Sequence, residues 1–169
     1  NGDLLPSGIS PGSNRKAWWL CEKGHEWESV IASRLRSSGC PVCSNKTLVR
    51  GQNDLATTNS LLASQWHSTK NLPLRADSVF AGSLSKFWWQ CSKGHDWQAT
   101  GADRVSGKGC PVCSGQKVSK GVNDLATTNP NLAKEWHPTK NGKAKPSDYV
   151  AGGKEKFWWQ CQNGHEWTA

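Results

Sequence analysis

Cysteine and histidine recur along this chain at intervals that suit metal binding. The pattern C-x3-H-x14-C-x2-C occurs twice, as Cys21, His25, Cys40 and Cys43 and as Cys91, His95, Cys110 and Cys113. Zn²⁺ prefers thiolate and imidazole ligands, and four of them complete its tetrahedron. The short intervals let one turn present two ligands, and the long interval lets two such turns meet after a hairpin. We therefore predict two complete zinc sites, which are structural because no ligand position stays open for water or substrate.

A disulfide framework is the alternative use of the seven cysteines. It does not explain why a histidine follows a cysteine at the same spacing in three places, and a bridge within C-x2-C would be strained. The third place is Cys161 with His165, the first half of a further site. Two ligands cannot close a tetrahedron, so we expect this pair to hold metal poorly by itself.

The spacing of these ligands reflects an internal repeat of 70 residues. Cys21, Cys91 and Cys161 lie 70 residues apart, and the segment Asn-Asp-Leu-Ala-Thr-Thr-Asn at 53–59 recurs unchanged at 123–129. Two full copies and the start of a third fit the chain, which reads as a piece of a longer protein with other domains. The predicted segments are the end of a preceding connector (1–15), zinc module 1 (16–50), a connector with a short helix near 60–67 (51–85), zinc module 2 (86–120), a connector with a short helix near 130–137 (121–155), and the truncated start of zinc module 3 (156–169).

Each predicted module needs a hairpin to bring its ligands together. Residues 87–90 are aromatic and bounded by polar residues, as in a short strand, and residues 96–100 read as the returning strand. Gly94 lets the turn between them take a positive φ. The C-x2-C segment forms a second turn, in which Asn45 stands where the next copy has Gly115. In the connector, Asn129 before Pro130 predicts a helix N-terminus.

Composition favours small modules over one large core. Leu, Ile, Val and Phe are scarce, whereas the chain carries 11 Trp, each able to bury a large apolar area. Trp89, Trp97 and their equivalents flank the ligands and are expected to shield the sites. Strand alternation exposes one member of each Trp-Trp pair, which could stack on unpaired bases. No apolar run is long enough to cross a membrane and no signal-peptide pattern is visible, so we expect no membrane partner.

Basic residues recur at equivalent positions of the copies. The formal charge is +8, or about +6 once zinc-bound thiolates are counted, which suits a polyanionic partner. If the modules present one face to a duplex, these residues would form a stripe of phosphate contacts, although repeated charges also keep a repeat soluble. The candidate contacts are Lys16, Lys23, Arg34, Arg50, Lys86, Lys93, Arg104, Lys120 and Lys156.

Catalytic chemistry has little support in the sequence. His67 and His137 each precede an Asn by four residues, which invites comparison with nucleases of the His-Asn-His type. That chemistry needs further metal ligands or a second His, and the other histidines are committed to zinc, so a structural role is favoured. Glu26, Asp96 and Glu166 follow the zinc His and are interpreted as outward strand residues. We expect no catalytic residue and no small-molecule substrate.

The combined motif resembles a known family. Trp-x-Cys-x2-Gly-His-x-Trp, an Arg, then Gly-Cys-Pro-x-Cys, preceded by Leu-Ala-x-x-Trp, is similar to the probable zinc-ribbon family, also described as treble-clef zinc finger domains. The resemblance covers nearly the whole chain. It implies small zinc-stabilised β-rich modules, each a β-hairpin plus zinc knuckles with short helices in the connectors, in tandem 70-residue repeats. It also implies the two ligand sets above, in arrays often attached to nuclease-like or other DNA-processing domains.

These observations lead to one function and one alternative. The leading expectation is a non-enzymatic tandem zinc-binding module that binds nucleic acid, DNA in the first instance, through a basic surface. No residue set spells out base readout, so binding would be mainly electrostatic. The alternative is a protein-interaction or spacer array with purely structural zinc. We expect an intracellular, reducing compartment, the cytoplasm or the nucleus.

Overall fold

The computed structural model describes residues 1–36 and 39–169. Three β-hairpins alternate with short helical segments in this part of the chain. Within it, every helix is too short to carry an apolar span across a bilayer. The strands pair as three two-stranded sheets, β1 (Lys16–Leu20) with β2 (Glu26–Val30), β3 (Lys86–Gln90) with β4 (Asp96–Thr100), and β5 (Trp158–Gln160) with β6 (Glu166–Thr168).

The hairpins follow the strands predicted from the aromatic pattern. Trp19 lies opposite Trp27 in the first hairpin, and Trp159 lies opposite Trp167 in the third, which pairs large aromatic side chains across the strands. Strand alternation also has the predicted effect on the Trp-Trp pair: Trp158 is 38% exposed and its neighbour Trp159 is 8% exposed. One face of each hairpin therefore builds a small core and the other faces solvent.

The helices differ from the prediction in length and number. The expected helices near 60–67 and 130–137 end at Ala63 and Ala133, because the chain then turns to pair with a hairpin. Helices were also missed after the first two hairpins, where five residues are too few to show a helical period. The described α-helices are α1 (Ile31–Leu35), α2 (Leu55–Thr58), α3 (Ser60–Ala63), α4 (Gly101–Val105), α5 (Leu125–Thr128) and α6 (Pro130–Ala133), and single turns of 3-10 helix lie at Pro6–Gly8, Ala76–Ser78 and Pro146–Asp148.

The chain divides into two compact units, the first formed by residues 1–89 and 98–106. In its core, Trp89 is fully buried and Leu55 is 1% exposed. The connector residue Trp66 packs edge-on against Trp89, with ring centroids 5.6 Å apart, and lies 4.9 Å from the ring of Phe87. The connector tryptophan thus completes the core of the hairpin that follows it in sequence.

The second unit, residues 90–97 and 107–169, repeats this arrangement. Trp136 lies edge-on to Trp159 with ring centroids 5.3 Å apart, and 4.6 Å from the ring of Phe157. Tyr149 extends the same aromatic cluster. Leu125, at the start of α5, is 5% exposed and donates its backbone N–H to the carbonyl of Tyr149. Both units therefore use the same connector-to-hairpin packing.

Candidate metal centre

The hairpin turn presents the first cysteine and histidine of each site. In the first copy the N–H of Cys21 donates to the carbonyl of His25, and the N–H of Gly24 donates to the carbonyl of Cys21. Gly24 has a φ of 79°, a left-handed conformation that glycine adopts without strain. The turn at Cys91 has the same hydrogen bonds. The hydrogen bonds of this turn and its left-handed glycine therefore place both ligands at the tip of the hairpin, as predicted.

The C-x2-C turn presents the other two ligands. The N–H of Ser44 donates to the carbonyl of Cys40, and the N–H of Asn45 donates to the carbonyl of Val42. Asn45 has a φ of 54°, and Gly115, at the equivalent position of the second copy, has a φ of 71°. The expectation that Asn45 replaces a left-handed glycine is confirmed.

The four ligand atoms of the first site meet at distances that fit one zinc ion. The Nδ1 atom of His25 lies 3.4 Å from the Sγ of Cys21, 3.4 Å from that of Cys40 and 3.2 Å from that of Cys43. The sulfurs of Cys21 and Cys43 are 3.9 Å apart. Zn–S bonds of about 2.3 Å and Zn–N bonds of about 2.0 Å predict tetrahedral edges of about 3.8 Å and 3.5 Å. The ligand set and its spacing therefore fit tetrahedral zinc.

The second site repeats the first closely. The Nδ1 atom of His95 lies 3.5 Å from the Sγ of Cys91, 3.6 Å from that of Cys110 and 3.3 Å from that of Cys113. The sulfurs of Cys91 and Cys113 are 3.8 Å apart. All ligand atoms of each site lie within 4.8 Å of one another. The chain thus carries two Cys3His sites that fit zinc, with Nδ1 as the histidine ligand in both.

The thiols of one site differ in how readily they ionise before metal binds. Burial opposes ionisation of Cys21, but hydrogen bonds from the backbone of His25 and Lys23 outweigh it and lower the pKa of this thiol. Burial, together with the neighbouring thiols of Cys40 and Cys21, raises the pKa of Cys43 to about 11. Zinc binding must therefore displace protons from the site at neutral pH.

An asparagine in the connector supports each C-x2-C turn, and the sequence reasoning missed its role. Asn53 donates from Nδ2 to the carbonyls of Val42 and Thr47, both at 2.9 Å, and its Oδ1 accepts from the N–H of Val49 at 2.8 Å. Val42 lies between two metal ligands, so this side chain fixes the turn that presents them. The unchanged Asn-Asp in both copies was the available signal.

Asn123 makes the same three contacts in the second copy. Its Nδ2 donates to the carbonyls of Val112 and Lys117, and its Oδ1 accepts from the N–H of Ser119 at 2.7 Å. Hydrogen bonds of this kind orient metal ligands without touching the metal, and their loss commonly weakens metal binding. The two asparagines are therefore positioning residues for the zinc sites.

The aspartate after this asparagine anchors the connector. Asp54 has no exposed surface and accepts hydrogen bonds from the N–H of Gly51 and from both the N–H and the hydroxyl of Thr57. Burial opposes its charge, but these hydrogen bonds hold the pKa of Asp54 below its usual value. It is the N-cap of α2. Asp124 caps α5 in the same way.

The third Cys-His pair forms its turn as the first two do. The N–H of Cys161 donates to the carbonyl of His165, and Gly164 has a φ of 82°. Within the described residues, clusters of three or more metal-ligand side chains are found at the two complete sites. The weak metal binding expected of Cys161 with His165 stays a prediction.

Most of the predicted nucleic-acid contacts lie on the surface. Lys16 forms a salt bridge with Glu28 at 3.2 Å, and Lys120 forms one with Asp148 at 2.7 Å. Salt bridges at such exposed positions contribute little stability and leave the cations accessible. The exposed members of the predicted set are Lys16, Lys23, Arg50, Lys86, Lys93, Lys120 and Lys156.

The two arginines of that set take part in packing. Arg104 is 6% exposed, lies 5.4 Å from the ring of Trp89, and donates to Oε1 of Gln65 at 2.5 Å. Arg34 lies 5.0 Å from the ring of Trp19 and 5.2 Å from another indole of the first hairpin. Guanidinium groups stack well on indole faces. Arg104 is therefore not positioned as an open phosphate contact, and Arg34 is partly buried against two indoles.

The two remaining histidines hold turns. His67 is 8% exposed, and its Nδ1 accepts from the N–H of Thr69 and of Lys70. His137 does the same, and its Nε2 is 2.8 Å from Oε1 of Glu166. Glu166 is thus a partner of a buried histidine and of a lysine, and not simply an outward strand residue. Each histidine thus stabilises the turn that follows it, and its structural role stays a prediction.

In two hairpins a lysine lies over the more exposed member of the Trp-Trp pair, a contact that the sequence reasoning also missed. The Nζ atom of Lys70 lies 4.6 Å from the ring of Trp88, and that of Lys140 lies 4.4 Å from the ring of Trp158. Such cation–π contacts hold the ammonium beside the aromatic face. Each of these hairpins therefore holds an exposed lysine against a tryptophan, and Lys140 is also paired with Glu166.

Comparison with known proteins agrees with this description of the sites. A sequence model of the family described as probable treble clef zinc finger domain matches the chain three times, over residues 1–46, 62–116 and 132–169. The second and third matches each begin near the connector tryptophan and include the hairpin that follows it. Among curated proteins, none has a sequence that matches this chain.

Proposed function

Because the chain belongs to the probable treble clef zinc finger family, we propose that it is a tandem, non-enzymatic zinc-binding array that binds nucleic acid, DNA in the first instance. Zinc organises each module, and the exposed side chains of the modules make the contacts. All four ligand positions of each complete site are filled by protein atoms, which supports a structural and not a catalytic metal.

The observation that supports this function best is the pairing of exposed lysines with the more exposed tryptophan of a hairpin. Lys70 and Lys140 each lie over a hairpin tryptophan, and Trp18, at the equivalent place in the first copy, is 57% exposed. Lysines attract phosphates, while an indole face stacks on unpaired bases of any identity. Together with the net charge of +8, this surface favours a polyanion that also carries aromatic bases.

A salt titration tests the proposal. Zinc-loaded protein is mixed with short duplex DNA, single-stranded DNA and RNA, and binding is measured by fluorescence anisotropy at increasing salt. Electrostatic binding predicts a linear fall of log K with log salt, with a slope near −0.9 for each phosphate neutralised on duplex DNA. Preference for single strands would indicate that the tryptophans stack on bases. No binding to any of these at about 50 mM salt would refute the proposal and favour the interaction or spacer array.

A matched pair of variants locates the contact surface. Lys23→Gln with Lys93→Gln removes two exposed lysines from equivalent ligand turns. Lys143→Gln with Lys154→Gln removes two exposed lysines from one connector, at positions where the first copy has Pro and Leu. Both variants lose the same charge. We expect the first to reduce the salt slope by about 2 and the second to leave it nearly unchanged; equal effects would contradict a surface defined by the repeat.

A further inference from the structure

A groove beside Trp19 lies where the other hairpins receive a connector tryptophan. The groove has a volume of about 530 Å³, within the range of clefts that bind small ligands. Its lining includes Ile9, Ala17, Trp19 and Arg34. In the 70-residue repeat these correspond to Val79, Phe87, Trp89 and Arg104. The last three of these surround the connector of the second copy.

The equivalent positions show what the groove is shaped to hold. Trp66 packs on Trp89, and Trp136 packs on Trp159, which leaves these hairpin tryptophans 0% and 8% exposed. Among the described residues, no connector indole lies on Trp19, and Trp19 stays partly exposed. The first hairpin thus has the same aromatic floor, and the part of the chain that the structure describes places no connector indole on it.

The groove also contains the arginine that holds the connector in the second copy. In the second copy Arg104 holds the connector through Oε1 of Gln65, the residue before Trp66. Arg34 occupies the same position in the first copy and lines the groove. A connector placed there would bring a residue equivalent to Gln65 to Arg34. The groove therefore offers an indole-stacking floor and a guanidinium to one segment.

The contacts of Asn1 indicate where such a segment would lie. Asn1 pairs with the backbone of Trp18, its Oδ1 accepting from the N–H at 2.6 Å and its Nδ2 donating to the carbonyl at 3.0 Å. Asn71 pairs with Trp88 through the same two contacts, each 2.8 Å. Asn1 therefore occupies the place of Asn71, five residues after the connector tryptophan, and a segment ending just before Asn1 would bring its tryptophan to the groove.

We propose that the groove beside Trp19 binds a connector segment from another copy of this repeat, of the kind Leu-Ala-x-x-Trp-His seen at residues 62–67. Its tryptophan packs on Trp19 and its preceding polar residue meets Arg34. Ala17 is smaller than Phe87, its equivalent in the second copy, which gives the indole additional room. The groove is thus a linking surface between successive repeats, independent of nucleic-acid binding.

The test uses a labelled peptide with the sequence of residues 59–70. It ends at the residue before Asn71, the repeat equivalent of Asn1. It is titrated with the zinc-loaded full chain, and binding is measured by fluorescence anisotropy. The same peptide with Trp66→Ala is expected to bind at least tenfold more weakly, because the indole supplies most of the buried apolar area. No binding of the unmodified peptide, or binding of both peptides within threefold, would overturn the proposal.

Variants of the chain test the location. Ala17→Glu puts a charge into the groove, whereas Ala151→Glu puts the same charge on an exposed position of the second unit. We expect Ala17→Glu to weaken peptide binding at least tenfold and Ala151→Glu to leave it unchanged. Zinc content and circular dichroism check that each variant is folded. Binding to folded Ala17→Glu within threefold of the original chain would place the peptide elsewhere and refute the proposed groove; if Ala17→Glu fails to fold, the Trp66→Ala peptide decides alone.

Discussion

Replacement of Asn123 by Leu should weaken the second zinc site without touching a metal ligand. The side chain makes three hydrogen bonds, two to the carbonyls of Val112 and Lys117 and one from the N–H of Ser119. Leu has a similar size but offers no donor or acceptor, so all three hydrogen bonds of this side chain are lost, and the carbonyl of Val112 keeps the N–H of Gly115 alone. Val112 lies between the ligands Cys110 and Cys113, and the turn that presents them is then held less firmly.

The expected loss of zinc affinity can be estimated from these hydrogen bonds. Each hydrogen bond contributes about 0.5–1.5 kcal/mol, so the turn loses about 1.5–4.5 kcal/mol of support. Residues that orient metal ligands commonly change metal affinity 10–100-fold when they are replaced, which corresponds to about 1.4–2.7 kcal/mol. We therefore expect zinc affinity at the second site to fall 10–100-fold.

Competition with a zinc chelator measures this effect, and the repeat provides an internal reference. The first site should release its zinc at the original chelator concentration, while the second releases it at a concentration lower by the expected factor. The mirror variant, Asn53→Leu, should weaken the first site instead. Asn131→Leu, on the exposed surface of α6, is the control and should change neither site. If both sites of Asn123→Leu keep their original affinity within threefold, the positioning role is wrong.

Three further predictions concern pH, capping and packing. Zinc affinity should rise with pH through the neutral range, up to tenfold per pH unit for each proton displaced, because the pKa of the metal-free Cys43 thiol is raised to about 11. Calorimetry in buffers of different ionisation enthalpy would detect the released protons. If zinc binding released no protons, this prediction would be wrong. Asp54→Ala should cost about 1–2 kcal/mol of unfolding free energy as an N-cap is lost, and Asp54→Asn should cost less. Since the pKa of Asp54 is lowered, its charged form stabilises the fold above the usual aspartate pKa, and that contribution should disappear as acid protonates it. Arg104→Gln should destabilise the first unit by about 2–4 kcal/mol, because the stacking and the hydrogen bond of the guanidinium are lost. The salt slope of nucleic-acid binding should stay unchanged. A reduced slope would indicate that Arg104 does contact phosphate.

The metal sites could be predicted from sequence because their chemistry is local. Cys21 and His25 are held by one turn whose geometry depends on Gly24, and the ligand types themselves select zinc. The hairpin strands could be predicted for a similar reason, since alternation along a short aromatic strand decides which Trp is buried. These features depend on residues within a few positions of one another.

The features that were missed depend on contacts distant in sequence. Arg104 looked like a surface charge, but it contacts Gln65, 39 residues away, and lies on a buried indole. Trp66 was assigned to a helix by spacing, whereas its backbone forms a bridge with Trp89, and this pairing ends the helix early. Asn53 repeats in both copies, yet nothing local indicates that it supports a turn 11 residues earlier. Tertiary contacts of this kind override local propensity.

X-ray absorption spectroscopy at the zinc edge, on protein loaded with zinc and freed of excess metal, tests the central claim most directly. The Cys3His assignment predicts an average shell of three sulfurs at about 2.3 Å and one nitrogen at about 2.0 Å. A shell dominated by nitrogen or oxygen, or protein that retains no zinc to measure, would contradict it.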